Sequence, residues 1–451
     1  MRRIKNMTQD NRGDIGKKRK IKPEDIALPQ GYKVDVFAEG LTTPINLIIS
    51  DNGEMFLADS GVISGSGKVL KLINGRFQVI AEGFNPPLTG ITYYNGDIYV
   101  AHRGFITAVK PNGNKVDILS GLPSWGDHHN NRVVFGIDGK MYFGQGTATN
   151  SGVVGKDNEG WVKKYPFFHD YPGSAIQLTG YNFISENFLS NAVNDSTLTG
   201  AYVPFGVSNR PGEVINGIVR ASGSILCANP DGSNLELLAW GLRNPFRMKF
   251  DRYNRLFSTN HGMDVRGSRP VDNSPDEFHL VQGGAWYGWP DYTGGKPVTL
   301  PDFKPENWPQ PNFLLSYHPM TPPRPLATFA SHSAIMGFDF SYTTTFGNIG
   351  DVYIAEFGSE APETTGGKPL PDVGHRVSRI DMRTGQIYTF AINKSGYAAS
   401  YTNSGGFERP IDIIFGPDNV MYIVDFGMFE ENGGNGNIPE TGVIWRITRT
   451  I

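Results

Sequence analysis

NRVVFGIDGKMYFGQG, residues 131–146, reads as a short apolar strand, a Gly/Asp turn and a second strand of the form Met/Ile/Leu-Tyr/Phe-Ile/Val/Phe. The same unit recurs along the chain. It stands at 44–61 as PINLIISDNGEMFLADSG and at 90–104 as GITYYNGDIYVAHRG. It returns at 244–262 as NPFRMKFDRYNRLFSTNHG, at 337–358 as GFDFSYTTTFGNIGDVYIAEFG and at 410–427 as PIDIIFGPDNVMYIVDFG. A sheet unit repeated in this way cannot bury both faces alone, so its copies must pack on one another around an axis. Six copies predict an all-β, six-bladed β-propeller.

Working outward, several copies are followed by a third strand with alternating apolar and basic residues: GKVLKL at 67–72, HRVSRI at 375–380 and GVIWRI at 442–447. Such strands read as half-buried. YKVDVF at 32–37 precedes the first full copy and has no hairpin partner. It is expected to complete the blade that holds the C-terminal strand, which also covers an edge. Two stretches are too long for the repeat, about 165–217 and about 289–333. Their aromatic and proline content predicts ordered insertions that wall a pocket. Residues 29–451 are therefore expected to form the propeller.

The 451 residues include 56 glycines and 31 prolines, as many short strands and turns require. A formal charge of −3 gives no basic field for nucleic acid, and the single cysteine, Cys227, excludes an internal disulfide framework. Residues 1–28 read as a disordered basic leader. They lack the apolar run of a signal peptide, and no stretch of the chain is long enough to span a bilayer. The compartment stays open on this reading, cytoplasmic as the chain stands.

In a propeller, the loops entering the innermost strands converge on one mouth. Those loops carry Asp127, His128 and His129, then Arg243 and Asn244, then Asn260 to Asp264, then Glu408 and Arg409. Arginines clamp carboxylates, a histidine takes a proton near neutral pH, and turn carbonyls suit calcium. The set predicts a site for a polyanionic ligand, a cation and a proton transfer. Taken singly, each piece also has a structural reading: a turn histidine, a strand corner, or a solvated acidic loop over 264–277 balanced by Arg266 and Arg269.

The strings GDHHNNRVVFGIDGKMYFGQG, GLRNPFRMKFDRYNRLFSTNHGMD and GGAWYGWPDY resemble the glucose/sorbosone dehydrogenase family from about residue 28 onward. The resemblance implies a sugar dehydrogenase that passes hydride to pyrroloquinoline quinone (PQQ) with calcium, and then electrons to an external acceptor. Its substrate would be an aldose, sorbosone or a related sugar aldehyde. It implies His128 as catalytic base, with Asp127 before it as a second catalytic residue. It implies Arg243, Asn244, Arg409 and Asn85 as cofactor contacts and the carbonyls of Gly262 and Met263 as calcium ligands. The chain departs from the family at three places. Ile411 stands where soluble glucose dehydrogenases carry a second arginine, Thr147 where they carry an aspartate, and Asn85 where they carry a cofactor-side glutamine. A calcium-dependent lactonase, or a carbohydrate-binding propeller without catalysis, is the alternative. Mouths of the first kind rest on several inward carboxylates, whereas this one offers more arginine.

Overall fold

The computed structural model describes residues 19–360, 362–430 and 436–450. Six antiparallel sheets, five of four strands and one of five, follow one another in chain order, as the repeats predict. Their innermost strands are Pro44–Ile49, Leu88–Tyr94, Val134–Phe135, Met248–Phe250, Ile335–Phe340 and Pro410–Phe415, which define blades one to six. Strand-first loops and second-strand exits share one mouth, and His128, Arg243, Asn244, Gly262, Met263 and Arg409 lie on such loops or exits.

Tyr32–Leu41 closes the ring. It pairs antiparallel with Gly442–Arg449, with Val34 opposite Ile447 and Tyr32 opposite Arg449. This leaves blade six without a free outer edge on that strand. Gly442–Arg449 is buried on both faces through its first half, including Val443, Ile444 and Trp445, so its expected half-exposed pattern holds only towards its end.

The leader expectation is corrected for residues 19–28; residues 1–18 lie outside the described residues. Ile26–Ala27 adds to blade five beside Gln386–Asn393. Arg19 enters blade six, donating to Asp425 at 2.5 Å, Gly406 O at 2.9 Å and Thr441 O at 2.7 Å. A buried guanidinium needs such partners, because an unpaired charge there is costly.

Blades pack through apolar clusters, and the axis is closed by a charge. Arg247 is 2% exposed and donates to Ile45 O of blade one at 2.9 Å and Thr89 O of blade two at 2.8 Å. Its Nε lies 3.3 Å from Asp412 of blade six. One side chain thus ties four blades at the centre. Burial lowers its pKa to about 10, so it stays charged at neutral pH.

The insertions are ordered but begin elsewhere than expected. The first occupies the whole connection between Met141–Gln145 and Ser224–Ala228, and the second that between Asp276–Leu280 and Ala327–Phe329. Ala327–Phe329, placed in an insertion by the sequence reading, is the fourth strand of blade four. The two insertions share a core containing Leu178, Tyr202, Trp286, Trp289, Leu314 and Leu315. Arg269 fastens them, bonding to Ser151 O, Pro290 O, Asn312 O and Asp291.

Candidate active site

His128 sits on the loop that enters blade three, pressed against Gly146. A Cβ at Gly146 would lie 2.3 Å from the Cβ of His128, so only glycine admits the histidine here. The ring Nδ1 is 3.0 Å from the carbonyl oxygen of Thr147. A carbonyl only accepts, so Nδ1 carries the proton and Nε2 keeps its lone pair. Among the described residues nothing hydrogen-bonds Nε2. His128 is only partly exposed, and its surroundings disfavour charge. Burial first, then Arg243, Arg266 and His261, hold its pKa well below 6.5. The imidazole is therefore neutral at pH 7 and free to take a proton.

Thr147 is itself fixed. Its amide donates to Arg243 O at 2.9 Å and its hydroxyl to Thr149 O at 2.7 Å. The next two amides, of Ala148 and Thr149, donate to Asp170 at 2.6 and 3.1 Å. Asp170 comes from the first insertion and is 1% exposed; burial raises its carboxyl pKa to about 6. Sequence reading missed this support, because a backbone carbonyl that seats a base leaves no signal in residue type.

Asp127 does not join His128 as expected. Its carboxylate accepts from Trp161 Nε1 at 2.9 Å and Asn158 Nδ2 at 3.0 Å, and it pairs with Arg266 at 2.7 Å. Arg266 also pairs with Asp157 at 2.7 Å and Asp264 at 3.1 Å. Asp264 in turn meets Arg243 at 2.5 Å. Burial opposes ionisation of Asp264, but Arg243, His332 and Arg266 outweigh it and hold the carboxyl far below the usual range. Asp127 is thus a strut in an ion-pair web, with three carboxylates balancing two arginines. The solvated reading of 264–277 is also corrected: Asp264, Arg269, Asp276 and Glu277 are buried.

The Arg243–Asn244 corner exists because Asn260 Oδ1 accepts both of their amides, each at 3.0 Å. Arg243 donates to Asn150 O at 3.2 Å and Gly262 O at 2.6 Å besides its bond to Asp264. Asn244 Oδ1 accepts from Asn131 at 3.0 Å, and its Nδ2 donates to His261 Nδ1, 3.1 Å away. His261 Nε2 donates to Ile335 O at 2.9 Å. Gly262 and Met263 are held by their amides, on Asp276 at 2.7 Å and Ser274 Oγ at 2.6 Å. The Gly262 carbonyl expected to hold calcium is therefore shared with Arg243. It keeps a second lone pair, and Asp264 neutralises the guanidinium beside it.

Arg409, entering blade six, is stacked between Phe357 and Phe429 at 4.9 and 4.8 Å. Its Nη1 bonds the carbonyls of Gly358 and Ser359, each at 3.1 Å. Nε and Nη2 have no partner among the described residues. Asp425 accepts the Arg409 amide at 2.9 Å, which is the same carboxylate that Arg19 pairs. Ile411, where a second arginine is absent, is buried in the apolar core. Asn85 is exposed on the rim before blade two; its amide donates to His102 Nδ1 at 3.2 Å, and its side chain meets none of the other candidates.

The mouth thus gathers Arg243, Asn244, His261, Gly262 and Met263 through direct bonds and chain neighbours, and His128 through Thr147, whose amide donates to Arg243 O. Arg409 joins from blade six, and Asn85 stands apart. Among the described residues no three His, Cys, Asp or Glu side chains converge as metal ligands, and no helix is long and apolar enough to cross a membrane.

Residues 207–396 match the family model described as Glucose / Sorbosone dehydrogenase. The match contains Arg243, Asn244, Gly262 and Met263 and leaves His128 and Arg409 outside it. A stretch of 183 residues, 40% of the chain, is 26% identical to quinoprotein glucose dehydrogenase B of Acinetobacter calcoaceticus. That stretch spans 30% of the length of this curated relative. The PQQ-bound aldose sugar dehydrogenase of Streptomyces coelicolor superposes with a TM-score of 0.54 at 16% identity, over 94% of this chain and 99% of its own. The calcium structure of the Trichoderma reesei carbohydrate-active enzyme of family AA12 gives a TM-score of 0.55 at 15% identity, over 95% and 98%. These superpositions bear out the propeller fold. The family match and the curated relative bear out the resemblance to a family of sugar-oxidising enzymes.

Proposed function

We propose, from the glucose/sorbosone dehydrogenase likeness of residues 207–396, that the chain is a PQQ- and calcium-dependent oxidoreductase acting on an aldose, sorbosone or a related sugar aldehyde. The observation that carries this reading is the neutral His128, seated on the Thr147 carbonyl with Nε2 open to the mouth. The residues present fit the implied cofactors. Arg409 offers unused N–H donors to a carboxylate, held flat between two phenyl rings. Arg243 keeps one unused N–H on each of Nη1 and Nη2, and Asn244 keeps one on Nδ2. Gly262 and Met263 supply carbonyl oxygens of the hard type that calcium takes. When bound, the quinone supplies a two-electron acceptor and calcium polarises it as a Lewis acid.

The chain's own part is to bind, orient and move a proton. A sugar hydroxyl placed against His128 Nε2 gives up its proton as its carbon loses hydride, and a C=O bond forms. The proton rests on the imidazole and returns to water when the product leaves. Thr147 fixes the tautomer that makes this direction the favoured one. Electrons then pass to an external acceptor.

Aldose-dependent reduction of a dye by the protein, supplied with PQQ and calcium, tests the reading. Reduction that needs sugar, PQQ and calcium together supports it. A protein that reduces no dye with any of a panel of aldoses and sorbosone defeats it.

A further inference from the structure

Arg103 differs from the other arginines of this mouth. Arg243, Arg266 and Arg409 each bond a carboxylate or several carbonyls. Arg103 has no ion pair and no side-chain hydrogen bond among the described residues, and its Nε is buried without a partner. Its backbone is fixed: the amide donates to Asn85 O and Pro87 O, each at 3.2 Å. The residue therefore stands at the exit of the second strand of blade two, on the mouth, and next to the loop that carries His128.

Its surroundings are those of a ligand cradle. Trp125 and Tyr165 form an aromatic pair, centroids 4.9 Å apart, and Trp125 lies against Gly104, the next residue in the chain. His129 donates from Nδ1 to Ser124 O at 2.9 Å, which leaves Nε2 unbonded. Burial, then Arg103, lowers the His129 pKa to about 4, so Arg103 is the cation of this corner. A buried N–H of a guanidinium costs free energy unless something accepts it, and a carboxylate is the acceptor that its fork fits.

We propose that Arg103, with Trp125, His129 and Tyr165, forms a carboxylate-binding subsite at the edge of the mouth. The aromatic pair would lie against a ring, as aromatic faces do with sugars and other flat or apolar faces. The carboxylate can come from an acidic sugar such as a uronate, or from the tricarboxylic cofactor. In either case the subsite rests on the dehydrogenase reading for its biological ligand, though not for its binding chemistry.

The test is binding to the cofactor-free protein by calorimetry and tryptophan fluorescence, with glucuronate, glucose and PQQ as probes, in wild type and R103Q. A preference for glucuronate over glucose that R103Q reduces by roughly tenfold assigns the carboxylate to the sugar. A roughly tenfold loss of PQQ affinity in R103Q, with no preference for glucuronate, assigns it to the cofactor. Unchanged affinity for both probes overturns the subsite. Dye reduction by R103Q with a neutral aldose at saturating PQQ judges the dehydrogenase reading separately. If that activity persists while neither affinity moves, the subsite alone is wrong. If binding behaves as proposed while no variant reduces dye, the activity assignment alone is wrong.

Discussion

The Nδ1 atom of His128 donates to the carbonyl oxygen of Thr147 across 3.0 Å, so the candidate base is oriented by backbone where its relatives are expected to use a carboxylate. A carbonyl fixes the tautomer as a carboxylate does but adds no negative charge. The proton taken up by Nε2 is therefore stabilised less by its seat and more by Asp264, the anion that raises the His128 pKa against its neighbours.

Replacing His128 by Ala is expected to lower kcat by about 10²- to 10⁴-fold, the usual contribution of a positioned base. Cofactor affinity should stay within about twofold and the melting temperature should barely move, because the residue is partly exposed and the ring's hydrogen bonds go to Thr147 alone. Steady-state kinetics with a spectroscopic PQQ titration check both halves; undiminished kcat would remove His128 from the chemistry.

The pH profile follows from the same neighbours. Burial and the two arginines hold the His128 pKa well below 6.5, so its base form persists as pH falls through that value. The expected kcat/KM profile is flat across pH 6.5, and its acid limb lies lower. An acid limb centred at 6.5 would mean an unperturbed histidine, and would contradict the burial seen here.

Arg409 to Leu is expected to weaken PQQ binding by tenfold or more, since a charge-assisted hydrogen bond to a carboxylate contributes about 1.5–3 kcal/mol. Ile411, two residues on, is apolar and buried and adds nothing to the clamp. Titration of the variant with PQQ at fixed calcium measures the loss, and an unchanged affinity would move the carboxylate elsewhere.

Arg19 to Met should be felt at a distance. It leaves Asp425 buried without its cation, and breaking a buried pair from one side costs about 3–5 kcal/mol. Because Asp425 also holds the Arg409 amide, both the denaturation midpoint and PQQ affinity are expected to fall. A variant as stable as wild type would show that residues 19–28 dock without contributing.

These two arginines mark how far the sequence could be read. The six repeats, the closing strand and the mouth loops were legible because strand periodicity and turn residues are local signals. The placement of His128, Arg243, Asn244 and Arg409 on strand-entry loops was legible because those loops occupy equivalent positions in different blades. Arg19 was not, since its partner Asp425 is 406 residues away and nothing local separates it from the basic run around it. Asp127 was misread for a related reason. Its place beside His128 in sequence says nothing of Trp161, Asn158 and Arg266, which turn its carboxylate away. The Asp170 support and the lone Arg103 are likewise products of folding, visible only once the first insertion and blade two meet the mouth.

The central claim is that this mouth holds PQQ. Its most direct measurement is a titration of the cofactor-free protein with PQQ, with and without calcium, followed in the visible spectrum. The account predicts saturable one-to-one binding that calcium strengthens and R409L weakens. No binding at saturating PQQ with calcium present would contradict it, and the propeller would then be turned to a different ligand.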